Sequence, residues 1–380
     1  MCGSLFLIPL PVLSFSSTKP FSHVFYLIHE NWVLGHYNLL SSPDMSRKEN
    51  GQPQEDLARP ELQLSDLLLS DRVRELHATI NNEWDSVQRT ACQMAAGRAL
   101  WKHVTHDPLA EVLAGETYLR SLHEKMTRDR INSAREVSGV ILAVRTLWFD
   151  ANLEAALNSF NGGEAQVVLL GAGMDARAYR LSCLKGINIF EVDFPELLHM
   201  KATLLQAAMG SSNEHEQLKM IAKSLTRVAA DIRDNDWSEK LQRSGFIPER
   251  NTVWVLEGIL YYLSHIHAMQ VLKTITANCS LTHTVLLADF MNKSSTLFQS
   301  TYQFYSDWPE NLLASLGFSD VKLSQLGDPD ANFGLMHDPL NLFNKIRSLP
   351  RSVQNHPDDG TPCHRLFLVQ ATGSPNHSII

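Results

Sequence analysis

A glycine bend and a distant acid carry the first chemical signal. Gly171-Ala172-Gly173 interrupts the apolar run Val167-Val168-Leu169-Leu170, and Phe190-Glu191-Val192-Asp193 ends in a carboxylate about 20 residues later. Glycine has no Cβ, so the chain can turn sharply and a ligand can come close to the backbone. A carboxylate at the tip of the neighbouring strand can accept hydrogen bonds from both hydroxyls of a ribose. That pair suits NAD as well as S-adenosylmethionine. Ala176 stands three places after Gly173, where the dinucleotide fingerprint wants a small residue, so spacing leaves both cofactors open. An ordinary βαβ turn with no ligand is the plainer alternative.

The elements that must position these groups can be read outward from the bend. Val167–Leu170 is short and continuously apolar, as a strand buried on both faces of a parallel sheet is. A helix-compatible stretch follows from Asp175, and Pro195 turns the second strand into its helix. Further strands are expected at 227–230, 252–256, 284–288, 319–323 and 365–371, with helices at 197–208, 266–277 and 309–316. Several strands end in an acid, namely Asp193, Asp231, Glu257 and Asp289. The carboxyl ends of parallel strands form the ligand crevice, so polar chemistry gathers at one edge.

Helical patterns dominate from Leu64 to Met126. Asp85 is a plausible cap for a helix through Leu100, Asp107-Pro108 starts another with proline at its first position, and a third runs from about Ile131 to Leu157. They are expected to cap the sheet's ligand edge. Strands alternating with helices indicate an α/β doubly wound sheet. The last two strands lack a clear helix between them, which favours a terminal antiparallel hairpin and the methyltransferase version of the fold.

Bulk composition narrows the field. The chain has 380 residues, 44% hydrophobic and 19% charged, with a net charge of −8. That balance gives no general attraction to phosphate backbones, so nucleic acid is a poor partner. Five scattered cysteines form no C-x-x-C pair, which fits a reduced, intracellular setting. No apolar stretch is long enough to span a bilayer. The sixteen histidines form no zinc-binding array, so no metal is expected.

Residues 1–44 differ from the rest, with an apolar start broken by Pro9 and Pro11 and a serine-rich segment. They lack the positive n-region of a secretory signal, and the first arginine is Arg47. Either they address an organelle, or the protein starts at Met45 and is cytoplasmic; the second is preferred. The expected division is a leader and linker over 1–62, a helical cap over 63–160, a cofactor-binding domain over 161–373 and a tail over 374–380. A lid insertion is placed around 292–318.

The ordered motifs resemble the leucine carboxyl methyltransferase superfamily. The likeness is nearest to its broad branch of S-adenosylmethionine-dependent methyltransferases, many without assigned substrates. The motifs are Asp85-Ser86-Val87, Asp107-Pro108, Arg145-Thr146-x-x-Phe149-Asp150, Leu170 to Leu181, Glu191 to Pro195, Asp231-Ile232-Arg233 with Asp236-Trp237, and Glu257 to Leu263. Each is commonplace alone; the set in this order is specific, and it covers roughly Asp85 to Ala371.

The resemblance implies a class I methyltransferase (Rossmann-like) seven-stranded sheet and S-adenosyl-L-methionine as cofactor. It implies that Arg145 grips the methionine carboxylate, since a guanidinium matches a carboxylate's two oxygens. Gly171 and Gly173 would pass under the methionine and ribose, and Asp193 would take the ribose hydroxyls. Asp231 and Ile232 would meet the adenine, and Glu257 the ammonium group. Arg98 falls where the family's carboxyl methyltransferases carry a lysine, so a cation survives but the residue type departs. Tyr262 matches a family tyrosine that could orient an acceptor.

The implied reaction is O-methyl transfer to a small-molecule or protein carboxylate, or to a hydroxyl. A carboxylate is already ionised at neutral pH, whereas a hydroxyl needs a base. The family's namesakes methylate the C-terminal leucine carboxylate of a phosphatase catalytic subunit, which makes that protein one candidate acceptor. A nicotinamide-dependent oxidoreductase and a non-catalytic cofactor-binding protein are the competing readings. Of the aromatic residues in 292–318, Phe298, Tyr302, Phe304, Tyr305 and Trp308 are expected either to line the acceptor pocket or to pack as a lid.

Overall fold

Alternate residues of the central strands point to opposite faces, and both faces are buried. The computed structural model describes residues 62–134, 137–211, 219–336 and 342–375; the expected leader up to residue 61 and most of the tail lie outside them. Seven strands form one sheet: β1 (Ala165–Leu170), β2 (Asn188–Asp193), β3 (Ser224–Ala229), β4 (Asn251–Leu256), β5 (Thr284–Met291), β6 (Asp320–Gln325) and β7 (Leu366–Gly373). Val167 and Leu169 of β1 join one apolar cluster, and Val168 and Leu170 join the other. A strand with no solvent face reads as a continuous apolar run, which is why it was legible as such.

The strand order is β3-β2-β1-β4-β5-β7-β6. β1 pairs in parallel with β2 and with β4, while β7 runs antiparallel between β5 and β6. The chain builds outward from β1 in one direction and then returns to add β4 on its other side. The crevice between the carboxyl ends of β1 and β4 is therefore the topological switch point, where open α/β sheets take ligands.

Helices cover each face. The Ser86–Leu100, Val140–Ser159 and Pro195–Ser211 helices share the cluster of Val167, whereas the Trp237–Arg243, His265–Ala277 and Pro309–Leu316 helices share that of Val168. The Ser86–Leu100 helix starts with a full capping box: Gln88 N donates to Asp85 Oδ1 at 2.8 Å, and Asp85 N donates to Gln88 Oε1 at 3.1 Å. It crosses the Val140–Ser159 helix closely at Gly97, where an added Cβ would stand 2.5 Å from Leu142 Cδ1. That crossing brings Met94 against Arg145 above the crevice.

Four expectations are corrected. The helix foreseen from Ile131 to Leu157 begins only at Val140 and runs to Ser159, because Ile131 is the last residue of the preceding helix, Glu116–Ile131. The break is made by Asp129, whose Oδ2 accepts from Ser138 N (2.7 Å), and by Gly139 at φ 82°. Pro108 lies in a turn ahead of the Ala110–Ala114 helix rather than at its first position, and Asp107 Oδ1 accepts from Leu109 N. The stretch after the glycine bend makes only one helical turn, Arg177–Arg180. The antiparallel β6–β7 pairing is present but not as a hairpin, because residues 326–365 connect the strands and carry the short Leu342–Arg347 helix. Buried Arg365 ties that connection down by donating to the carbonyls of Ile346 and Leu349.

Among the described residues, no helix is long and apolar enough to cross a membrane.

Candidate cofactor cavity

At the carboxyl ends of β1, β2 and β4 lies a cavity of about 470 Å³. It is lined by Gly171 and Gly173 after β1, Asp193 at the end of β2, Asp231 and Ile232 beyond β3, and Glu257 and Tyr262 beyond β4. Arg98 and Arg145 reach it from the two crossing helices. All nine candidate residues named from the sequence thus meet in one space.

Asp193 closes the bend. Its Oδ2 accepts from Gly173 N at 2.7 Å and its Oδ1 from Phe194 N at 2.8 Å. Each carboxylate oxygen has two lone pairs, so one on each side stays available for a diol. Burial pushes its pKa up to about 6 in spite of these two donors. Gly171 sits at φ 67°, and an added Cβ would stand 2.7 Å from Ile259 Cγ1. Gly171→Ala is expected to cost about 2 kcal/mol, part from the left-handed backbone and part from the clash. Adding Ile259→Ala should restore the clash part; equal urea midpoints for Gly171→Ala and the parent protein would show that the bend yields freely.

Arg145 is buried and already engaged. Its Nε donates to Glu257 Oε1 at 3.1 Å, its Nη1 to Asp289 Oδ2 and to the Tyr261 hydroxyl at 3.3 Å each, and its Nη2 to Met94 Sδ at 3.1 Å. Glu257 has a second cation, because Arg177 Nη2 donates to its Oε2 at 2.6 Å. Burial alone would raise the Glu257 pKa, but Arg177 and Arg145 hold it below the usual range. The cationic partner that this half-buried acid needed is therefore supplied by the chain itself. Asp289, fully buried beneath Arg145, also accepts from Gly258 N at 2.7 Å, and burial pushes it up to about 6.

The network extends away from the cavity. Arg177 also bonds Asp150 and Asp175, Arg180 bonds Asp150, and Arg98 bonds Asp107 and the carbonyl of Met174. Arg98 thus has internal partners at the position where the family's lysine was expected. Asp231 is held by Arg233 through both oxygens, and its pKa, raised by burial, is carried below the normal range by that partner. Ile232 is buried in the apolar cluster beside β4 as well as lining the cavity.

Tyr262 bonds the side chains of Thr90 and Tyr302, and burial raises its pKa. Its ring packs on Tyr261 (centroids 4.9 Å apart) and Tyr302 (5.3 Å). In the 292–318 stretch the cavity is lined by Ser300, Thr301 and Gln303, not by the aromatics. Tyr302 backs the tyrosine pair, Phe304 packs on Phe290 under the sheet, and Trp308 lies under the Arg351 guanidinium. The side chain of Phe298 lies outside the described residues. From the sequence Tyr261 reads as a structural neighbour of Tyr262 and Met94 carries no signal; both bond Arg145, a meeting that leaves no local motif.

Five parallel strands with an antiparallel β7 inserted before β6, and a ligand cavity at the switch point, define the class I methyltransferase version of the Rossmann-like fold. A leucine carboxyl methyltransferase family model matches residues 91–276, just under half of the chain. A Mycobacterium avium protein named "Putative S-adenosyl-L-methionine-dependent methyltransferase" is 36% identical over 216 residues, covering 51% of this chain and 64% of the relative. A Mycobacterium tuberculosis protein of the same name is 32% identical over 212 residues, covering 52% and 62%. The match therefore spans less than two thirds of these relatives. Among solved structures, a duf574 family protein from Streptomyces avermitilis aligns with 73% of this chain and 96% of its own, at 11% identity and a TM-score of 0.43.

Proposed function

We propose that the chain is an S-adenosyl-L-methionine-dependent methyltransferase that passes the methyl group to an oxygen of a carboxylate or hydroxyl acceptor. The observation that carries this is Asp193, a buried carboxylate clamped to the glycine bend with lone pairs toward a cavity whose other end holds an arginine–carboxylate network. An adenosine diol at one end and a zwitterionic amino acid at the other fit that order. Asp193 takes the ribose hydroxyls. Ile232 packs against the adenine, and Asp231, steadied by Arg233, keeps lone pairs for its amino group. Arg145 meets the amino-acid carboxylate and Glu257 the ammonium group. Arg98 braces the glycine bend through Met174. Residues 63–160 act as the cap over this edge.

A nicotinamide dinucleotide fits less well. Its pyrophosphate wants the N-terminus of a full helix, and the bend here leads into a four-residue turn beside Asp175.

A sulfonium methyl is already activated, so the protein's task is alignment in a space that excludes bulk water. Tyr262, kept protonated by its burial, orients the acceptor oxygen rather than taking a proton. A carboxylate acceptor needs no base, which suits a cavity lined, among the described residues, by no histidine or lysine.

The test is transfer of tritiated methyl into a cell extract, with the labelled product treated with alkali. A methyl ester releases volatile methanol, a methyl ether keeps its label, and the absence of any labelled product contradicts the reading. A labelled protein would bring in the phosphatase-type acceptor, a labelled metabolite the small-molecule one. The pH dependence is a second check. Ligand hydroxyls donate to ionised Asp193, whose pKa of about 6 lies above that of an ordinary aspartate. Protons therefore compete below pH 6, and affinity for S-adenosylhomocysteine should fall by up to about tenfold per pH unit there. Affinity constant from pH 7 to 5 would remove Asp193 from the site.

A further inference from the structure

Arg145 has one donor pair whose acceptor is poor. Nε and Nη1 are given to carboxylate and phenol oxygens, whereas Nη2 donates to the thioether sulfur of Met94 at 3.1 Å. A thioether is a weak acceptor, and a guanidinium prefers a carboxylate, with which its bonds are roughly twice as strong. The described hydrogen bonds give Nη2 no oxygen partner. Met94 is half-buried on the Ser86–Leu100 helix, it lines the cavity, and its unbranched side chain has three rotatable bonds.

From this geometry we propose that Met94 is a specificity-determining placeholder: its sulfur occupies Nη2 until the carboxylate of the ligand's amino-acid end displaces it. The inference rests on the adenosyl reading of the cavity and deepens it. Displacement then sets how strongly the site tells an adenosyl amino acid from a bare adenosyl thioether. The sulfur gives up one weak bond, rotates aside, and the incoming carboxylate takes the same N–H groups. Met94 acts through Arg145 and touches no reacting atom, so it is a positioning residue.

The experiment is calorimetric titration of the full chain and three variants with S-adenosylhomocysteine and with methylthioadenosine, which lacks the amino-acid end. The quantity read is the ratio of the two affinities. Met94→Leu removes the competing acceptor and should raise the ratio about threefold. Met94→Gln offers a better neutral acceptor and should lower it about threefold. Met94→Glu offers a built-in carboxylate and should lower it at least tenfold. Methylthioadenosine binding should stay within twofold throughout, which also reports that each variant folds. A flat ratio across the series, or both compounds weakening together, overturns the inference and leaves Met94 a packing residue. Failure of S-adenosylhomocysteine to bind the parent protein overturns the adenosyl reading, and this inference with it.

Discussion

Asp193→Asn is expected to weaken S-adenosylhomocysteine binding about a hundredfold while leaving the protein folded. Two hydroxyls donating to a charged oxygen contribute about 1.5–3 kcal/mol each, and losing the charge forfeits much of both. The asparagine keeps one carbonyl oxygen for Gly173 N, so the bend retains its main clamp. Folding does not depend on the charge. The raised pKa of Asp193 means that the folded state disfavours the ionised form, so ionisation lowers stability as pH rises through 6. Asparagine removes that penalty but its amide nitrogen cannot accept from Phe194 N, so the two effects oppose and the urea midpoint at pH 7 should stay close to that of the parent. Calorimetry and a denaturation curve check both halves, and retained affinity in a folded variant contradicts the ribose assignment.

Arg145→Met should be costly in two separable ways. The guanidinium is buried against Glu257 and against Asp289, which has no solvent contact. Removing one partner of such a pair leaves an uncompensated buried charge, at about 3–5 kcal/mol. Glu257 keeps Arg177, so most of that cost falls on Asp289. Asp289→Asn in the same chain should therefore recover a large part of the stability, since an amide can still accept from Gly258 N. It should not recover ligand binding. The amino-acid carboxylate loses its guanidinium in both variants, and S-adenosylhomocysteine should fall to the affinity of methylthioadenosine. A double variant that regains stability and binding together would make Arg145 a purely structural residue.

Much of this site can be read along the chain because it is made at strand ends. Gly171, Asp193, Asp231 and Glu257 each follow a short apolar run, and the parallel fold carries the ends of such runs to one edge. The seven strands were legible for the same reason, to within a few residues at each end. The helices were less so where the cue lies outside the segment. The start expected at Ile131 was too early: residues 131–139 are mostly polar and end in Ser138-Gly139, and Asp129 holds Ser138 ahead of the helix that begins at Val140. Gly139 then starts a helix buried on nearly every side of its first turns, which erases the usual amphipathic period.

The partners of charged residues were the least legible part. Arg145 meets Glu257, Asp289, Tyr261 and Met94 from positions up to 144 residues apart. Nothing local marks those meetings. They follow from one close helix crossing at Gly97 and from β4 and β5 lying side by side. The long connection ahead of β7 was hidden similarly, since its anchors, among them buried Arg365 bonding carbonyl groups and Arg351 pairing with Glu310, are distant in sequence.

The most direct measurement is a titration of the parent protein with S-adenosylhomocysteine and, separately, with NADH. The site described here predicts one ligand per chain for the adenosyl amino acid and none for the dinucleotide. Binding of NADH with no uptake of S-adenosylhomocysteine would contradict it.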